Sequence, residues 1–498
     1  MRRARFALPF AVAALACGAC RASPVDPGAD PGSRSSVVLI VVDALRADHL
    51  GTYGYSARPT SPNIDRWAGR GLVFERAWAT SPWTLPSFGS ILTGHLPSAH
   101  AAGIEVGEGA GAAVEAGAEV EVVAARNFVT LPEAVPTVAG ILAAQGFATG
   151  ALVANPFLDP RFGLGRGFAY YDHDDTSNSE VRRAAEVVDL ALEWIDANSS
   201  RPFFLLVHLF DPHLDYDAPA PFGGRFAVTG TATAATTAAT AATTAAGEER
   251  LELPVQGLWP IRNRLADMSA AERDFITAAY DEEIAYVDAE VGRFLQGLED
   301  RGALDSALVA LTADHGAELF EHGGFEHGHT MFDEALRVPL ILWGPRVAPG
   351  RESAPVSLID LVPTILEAAG VASSGGDARA FSEHSLPGLS LLDTARTTWP
   401  EQRALIAERL LYGPETKAIV RWPYKAILEI ESGKAMLFDL EEDPGEHHDL
   451  AAQRPEALTA LLGELAERLS AAGALGVATA ADIDEGLLRR LRALGYIR

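Results

Sequence analysis

An unbroken apolar run, Val37-Val38-Leu39-Ile40-Val41-Val42, ends on Asp43. Branched residues without polar alternation predict a strand covered on both faces, as in a parallel sheet. Similar runs predict strands at Ala148–Ala154, Phe203–Leu209, Ala307–Ala313 and Val338–Trp343. Helical spacing fills the gaps between them. Ser61-Pro62 opens a helix that stops near Gly69 to Gly71, a second runs from Pro136 to Gly146, and Glu180–Asn198 carries a third. Ser269 and Glu272 form a capping box at the head of a long helix reaching about Asp300, and another helix spans Ser357–Ala369. The alternation predicts an α/β fold, a three-layer α/β/α sandwich around a large, mostly parallel sheet. From Arg403 the spacing shortens to strands at Leu405–Glu408, Lys417–Arg421, Lys425–Glu431 and Ala435–Leu440, then a helix from Pro455 to about Ala472. A main domain over 36–400 and a small C-terminal α+β subdomain over 401–498 are therefore expected.

Two stretches break the pattern. Residues 104–123 are rich in Gly, Ala, Val and Glu, and 228–247 are nearly all Thr and Ala, so both read as surface insertions. At the amino end, Arg2, Arg3 and Arg5 precede the apolar stretch Ala7–Ala16, which is too short to span a bilayer and reads as an export signal over residues 1–20. Cys17 after Ala14-Leu15-Ala16, or Cys20, is placed for lipid attachment, which would tether the protein to a membrane surface. A periplasmic or membrane-anchored lipoprotein, or a secreted protein, is expected. Residues 21–35 form a Pro/Gly/Ser linker.

The 498 residues are 48% apolar, enough for a large core, and their formal charge of −27 argues against nucleic acid as a partner. The only lysines are Lys417, Lys425 and Lys434. Cations elsewhere must be arginine, histidine or metal. No cysteine follows Cys20, so structural disulfides play no part.

The chemistry gathers at the strand ends. Asp43 follows the first strand, Asp314-His315-Gly316 follow Ala307–Ala313, and Asp211 with His213 follow Phe203–Leu209. Ligands of open α/β sheets lie beyond the carboxyl ends of the strands, so residues far apart in sequence can meet there. Thr84 precedes Pro86 at a predicted helix start, where N–H donors and the dipole favour an anionic oxygen. Two carboxylates, an imidazole and a hydroxyl suit one divalent metal ion with Asp43, Thr84, Asp314 and His315 as ligands. The histidine favours Zn or Mn over Ca or Mg. Taken alone, Asp43 could equally be a helix cap.

Thr84-Leu85-Pro86-Ser87-Phe88-Gly89-Ser90-Ile91-Leu92-Thr93-Gly94 resembles the nucleophile segment of the sulfatases, in the alkaline phosphatase superfamily. There a cysteine or serine followed by x-Pro-Ser-Arg becomes formylglycine. Val41-Val42-Asp43-Ala44-Leu45-Arg46 is similar to the family's first metal segment, and Thr312-Ala313-Asp314-His315-Gly316 with Glu321-His322-Gly323 to its second. His327-Gly328-His329, Arg337-Val338-Pro339-Leu340, Ser357-Leu358-Ile359-Asp360 and Leu437-Phe438-Asp439-Leu440 continue the match. The departures are specific. Thr84 cannot give formylglycine because its Cβ bears a methyl. Ala44 stands where many sulfatases have a second aspartate, and Phe88 replaces the arginine. The sulfate-binding lysines have no counterpart, and His329 takes the place of one.

The resemblance implies a metal-dependent hydrolase of sulfate or phosphate esters with Thr84 as nucleophile. His213 and His329 would stabilise the transferring oxygens or protonate the leaving group, although His322, His327 and His329 crowd one loop. Arg46, Asn155 and His213 would bind substrate, with Arg46 alternatively pairing Asp48. A second metal on Asp211, His213 and His329 is an option. The substrate would be a small-molecule, glycan or lipid ester. A phosphoethanolamine or phosphoglycol transferase, a phosphodiesterase, and an inert glycan-binding relative are the alternatives.

Overall fold

The computed structural model describes residues 34–104, 128–173, 181–226, 240–243, 249–252, 258–371, 386–392, 403–494 and 496–497. The expected leader and nearly all of the linker lie outside these residues. So do most of the two insertions, although Thr240–Thr243 pairs antiparallel with Glu249–Glu252.

Eight strands form the central sheet: β1 (Ser36–Val42), β2 (Leu72–Phe74), β3 (Ala148–Leu152), β4 (Tyr170–Asp172), β5 (Phe203–Leu209), β6 (Ala307–Ala313), β7 (Leu340–Trp343) and β8 (Gly350–Glu352). Their order across the sheet is β8-β2-β7-β6-β1-β5-β3-β4. Only β7 is antiparallel to its neighbours, β6 and β2. The continuous apolar runs are explained by burial on both faces, since every residue of β5 and β6 is buried.

The helices divide into two layers. On one side α1 (Pro62–Ala68), α4 (Ala184–Asn198) and the long α5 (Ala270–Asp300) pack together. On the other, α2 (Thr84–Thr93) packs against α3 (Val138–Ala144) and α6 (Leu361–Ala368). The Ser269–Glu272 capping box at the start of α5 is present in both directions. Ser61 makes no side-chain cap on α1, and its hydroxyl accepts instead from Gly51 N at 2.8 Å.

Some boundaries move for local reasons. The apolar run Val338–Trp343 splits, because Arg337–Val338 pair with Ala77–Trp78 in a separate small sheet. Helix α4 begins at Ala184 rather than Glu180, where Asp211 Oδ2 accepts from Ala184 N at 2.9 Å and supplies the missing cap. The edge strands β8 and β4, and β2 beside β8, have three residues each, too short for periodicity to reveal.

The C-terminal subdomain is an antiparallel sheet in sequential order, β9 (Leu405–Glu408), β10 (Thr416–Arg421), β11 (Tyr424–Glu429) and β12 (Ala435–Asp439), packed against α7 (Pro455–Ala471). Buried Lys425 binds it to the main domain through Asp333 at 2.7 Å. A further helix, α8 (Glu485–Ala493), was not expected from the sequence pattern. Leu487 and Leu491 are buried, and α8 packs against the Pro156–Leu158 turn.

Register decides where the chemistry falls. Val42 is level with Ala313 on one side and Leu209 on the other, so Asp43 and Asp314 leave the sheet at one edge. Asp43 N donates to Leu209 O at 2.9 Å, which keeps this corner in register beyond the last strand residue.

Candidate active site

Asp43, Thr84, Asn155, Asp314 and His315 are fully buried. His315 Nδ1 lies 2.9 Å from the carbonyl oxygen of Gly316, so this nitrogen carries the proton and donates. Nε2 is left as a lone pair. It faces Asp314 Oδ2 at 3.4 Å, Asp43 Oδ1 at 3.5 Å and Thr84 Oγ1 at 3.4 Å. The two carboxylate oxygens are buried without a hydrogen-bond partner. Three acceptors turned toward one another repel unless a cation sits among them.

The carboxylates carry the mark of that conflict. Burial, and then the charge of Asp43, push the Asp314 carboxyl well above its ordinary range. Burial also acts to raise Asp43, but the His208 hydrogen bond and the nearby histidine charges outweigh it and hold this carboxyl at about 2. Asp314 Oδ1, by contrast, accepts from His315 N at 3.0 Å and Ala44 N at 3.3 Å. Ala44 itself takes a left-handed φ of 54°, and its carbonyl accepts from Tyr280 of α5 at 2.8 Å.

Asp43, His208 and Asp314 offer ligand atoms close enough to share one ion. His208 was overlooked in the sequence because it sits inside the apolar strand β5; a lone polar residue in Phe203-Phe204-Leu205-Leu206-Val207-His208-Leu209 is the signal that could have found it. Its Nε2 lies 3.3 Å from Asp43 Oδ2. Its Nδ1 accepts from Ala154 N at 3.4 Å, which leaves the ring proton on Nε2 facing that carboxylate. The donor set therefore fits a divalent ion on Asp43, Asp314 and His315, with His208 at its border.

Thr84 is the first residue of α2, after an extended Trp83. Ser87, one turn on, donates to Asp314 O at 2.6 Å and locks the helix start to the end of β6. Phe88 is fully buried and packs edge-on to the His208 ring at 5.3 Å. The position that resembles the family's arginine thus belongs to the core and brings no charge to Thr84.

Asn155 follows β3. Its Oδ1 accepts from Phe157 N at 2.8 Å, which fixes the amide so that Nδ2 points inward. Nδ2 reaches Asp43 Oδ2 at 2.6 Å, Thr84 Oγ1 at 3.2 Å and the Tyr496 hydroxyl at 3.0 Å. His213 joins from beyond β5, its Nδ1 donating to Leu214 O at 2.6 Å and its Nε2 lying 2.7 Å from the Tyr496 hydroxyl and 3.0 Å from His327 Nε2. Burial lowers the His327 pKa well below its ordinary value. Of the three histidines crowded in one loop, His327 is the one brought to His213. Tyr496 was not foreseen at all, since nothing in local sequence ties it to Asn155.

Three expected participants have their polar atoms engaged elsewhere. His329 Nε2 is 2.8 Å from Glu318 Oε2, and Arg262 approaches its Nδ1 at 3.0 Å. Arg46 is spent on Asp48 at 2.7 Å, Glu321 at 2.6 Å and Ala317 O at 3.0 Å. Asp211 pairs with Arg183 at 3.1 Å and caps α4, so the trio considered for a second metal does not converge. His100 packs on Gly89, where a Cβ would lie 2.3 Å from its ring, and burial lowers its pKa to about 3.

Known proteins share both sequence and architecture with this chain. The sulfatase family profile matches residues 35–371. Arylsulfatase K of Xenopus laevis is 25% identical over 463 residues, covering 85% of this chain and 80% of that one. A solved structure in complex with its substrate D-glucosamine-2-N,6-O-disulfate superposes with a TM-score of 0.64 at 20% identity, over 88% of this chain and 98% of the other. The phosphonate monoester hydrolase of Agrobacterium radiobacter superposes with a TM-score of 0.61 at 19% identity, over 91% and 98%.

Proposed function

The chain belongs to the sulfatase family, and on that premise we propose that it cleaves monoanionic sulfate or phosphate-type esters with Thr84 as nucleophile. The membership makes it a sulfatase-like ester hydrolase. The finer reading rests on one observation: the proton-free Nε2 of His315 faces Asp43 Oδ1, Asp314 Oδ2 and Thr84 Oγ1 at 3.4–3.5 Å.

Asp43, Asp314 and His315 would hold one divalent ion, for which the imidazole favours Zn or Mn. Held there, the ion would lower the pKa of the Thr84 hydroxyl and neutralise charge on the ester oxygens. Asn155 orients Thr84 through Nδ2. The Thr84 hydroxyl gives its proton to solvent, and the resulting alkoxide oxygen forms a bond to sulfur or phosphorus while the bond to the leaving oxygen breaks. That oxygen takes the Nε2 proton of the imidazolium form of His213, which is left neutral with a free Nε2 lone pair. In the second half the neutral His213 takes one proton from a water whose oxygen bonds to the sulfur or phosphorus, the bond to Thr84 Oγ1 breaks to return the alkoxide, and the acid product carries away the other proton. His327 supports His213 at 3.0 Å.

Charge narrows the ester. No arginine or lysine contacts the cluster among the described residues, so two carboxylates already balance one divalent ion. A dianionic phosphate monoester would bring uncompensated charge into a buried site, whereas a sulfate ester, phosphodiester or phosphonate monoester brings one charge. Export under the leader over residues 1–20, with Cys17 or Cys20 lipidated, belongs to the same reading and is tested by labelled palmitate incorporation.

The test is a parallel assay of aryl sulfate, phosphodiester, phosphonate monoester and phosphate monoester at equal metal loading. Turnover of a monoanionic ester that disappears in Thr84→Ala supports the reading. Preference for the phosphate monoester, or undiminished activity in Thr84→Ala, overturns it.

A further inference from the structure

Tyr496 enters the active site from outside the catalytic sheet. It follows α8, and its backbone N donates to Leu491 O at 2.9 Å while its carbonyl accepts from Tyr412 at 3.1 Å. The ring packs edge-on to Phe157 at 4.6 Å, and Tyr496 and Ile497 are each 2% exposed. The hydroxyl donates to His213 Nε2 at 2.7 Å and accepts from Asn155 Nδ2 at 3.0 Å.

These two contacts use the groups that the ester needs. His213 Nδ1 is committed to Leu214 O, so Nε2 is its only nitrogen able to serve a leaving oxygen. The Tyr496 hydroxyl stands at that nitrogen. The same Asn155 Nδ2 that holds this hydroxyl also holds Thr84 Oγ1 at 3.2 Å. With the phenol in place Thr84 is fully buried and His213 nearly so. A phenol bonded to the leaving-group histidine, one amide away from the nucleophile, is placed as the alcohol product of an aryl ester would be.

We propose that Tyr496 is an internal occupant of the leaving-group subsite, a phenol that the organic part of the substrate must displace before the ester can reach Thr84. The proposal rests on the roles given above to His213 and Asn155. Withdrawal need not disturb the rest of the fold. The chain before α8 is held by backbone bonds from Thr130 N to Thr479 O at 2.9 Å and from Ala481 N to Phe128 O at 2.7 Å. Beyond that point α8 is held by Leu487 and Leu491 and by an exposed Asp484–Arg161 pair at 2.8 Å. A movement confined to α8 and Tyr496 would therefore open the subsite.

An internal competitor reduces the fraction of protein able to bind and leaves the bound complex unchanged, so it raises KM and not kcat. The experiment compares the full chain, Tyr496→Phe and a chain ending at Leu494. It measures 4-nitrophenol binding by calorimetry and steady-state kinetics on an aryl ester. The shortened chain is expected to bind 4-nitrophenol and the ester about tenfold or more tightly, with kcat within about twofold. Tyr496→Phe, which keeps the ring and loses both hydrogen bonds, should fall between. A shortened chain that folds, as judged by circular dichroism, yet shows unchanged affinity or a collapsed kcat overturns the proposal; the latter would make Tyr496 a working part of the site. If the shortened chain does not fold, Tyr496→Phe decides alone, and unchanged KM and 4-nitrophenol affinity overturn it. Absence of turnover in all three proteins counts against the hydrolase reading, while the 4-nitrophenol measurement still decides the occupancy.

Discussion

His315 presents Nε2 to Thr84 Oγ1 at 3.4 Å because its other ring nitrogen is held by the carbonyl of Gly316 at 2.9 Å. That carbonyl is positioned by a close packing contact. Gly316 N donates to Ala335 O at 2.9 Å, and a Cβ on Gly316 would lie 2.1 Å from Glu334 O. A residue with no role in chemistry thus sets the tautomer of one that has it. Gly316→Ala is expected to push this loop outward and lower metal retention at unchanged ligand identity, as read by metal analysis after gel filtration.

Metal removal should be visible in stability. A divalent ion bound only by the folded state, at free concentrations one hundred to one thousand times its Kd, stabilises by about 3–4 kcal/mol. Chelation should lower Tm accordingly. Asp314→Asn should abolish metal retention, yet melt above the chelated wild type because the Asp43–Asp314 repulsion is gone. Identical melting with and without chelator would remove Asp43 and Asp314 as ligands.

Thr84→Ala should fold normally, since the Thr84 side chain caps nothing and Trp83 holds the N-cap position. Turnover should fall by about a thousandfold or more with loss of the covalent route. Thr84→Ser should keep part of the activity. Intact mass of the wild type should show residue 84 unmodified, and an oxidised or otherwise altered mass would contradict a plain hydroxyl nucleophile.

Asn155→Leu removes one donor that serves Asp43, Thr84 and Tyr496 together. A fall in kcat of about a hundredfold is expected, comparable to deletion of one preorganised donor. Stability should drop by about 1–3 kcal/mol, because Asp43 and Phe157 N lose a buried partner. Thermal unfolding beside steady-state kinetics separates the two losses. A drop in Tm alone would make Asn155 purely structural.

His322 gives a pH signature away from the metal. Burial lowers its pKa, but Glu334 at 2.7 Å more than offsets this, and the pKa is raised from 6.5 to about 9. The folded state therefore holds this proton more tightly than the unfolded chain does. The stabilisation is fully present below the ordinary pKa of 6.5 and is lost as pH rises through about 9. His322→Gln should flatten the fall in Tm between neutral pH and pH 10, measured against the wild type under the same buffers.

Much of this arrangement is legible in the chain. The unbroken runs at Val37–Val42, Phe203–Leu209 and Ala307–Ala313 dictate buried parallel strands, because polar alternation would have left one face wet. Once these are parallel neighbours, Asp43, Asp314 and His315 must leave the sheet at one edge. Thr84 two residues before Pro86 marks a helix start in the same way. These inferences need only the local pattern and the direction of the strands.

The rest depends on contacts that local pattern does not encode. His208 reads as part of an apolar strand until β1 brings Asp43 beside it. His329 looks available in sequence, and only the fold supplies Glu318 to occupy it; for Arg46 the fold adds Glu321 to the Asp48 pairing that the sequence already offered. Asn155 is a turn residue whose amide acquires a direction when Oδ1 meets Phe157 N. Tyr496 is the extreme case, since it lies 341 positions from Asn155 and 283 from His213. Local pattern dictates the sheet, the edge and the acids that gather there, because hydrophobic period and strand polarity are local properties. That His208 and His327 join His315 and His213 at the site, and that a phenol stands inside it, was decided by tertiary packing, because side-chain partners are chosen by distance in space.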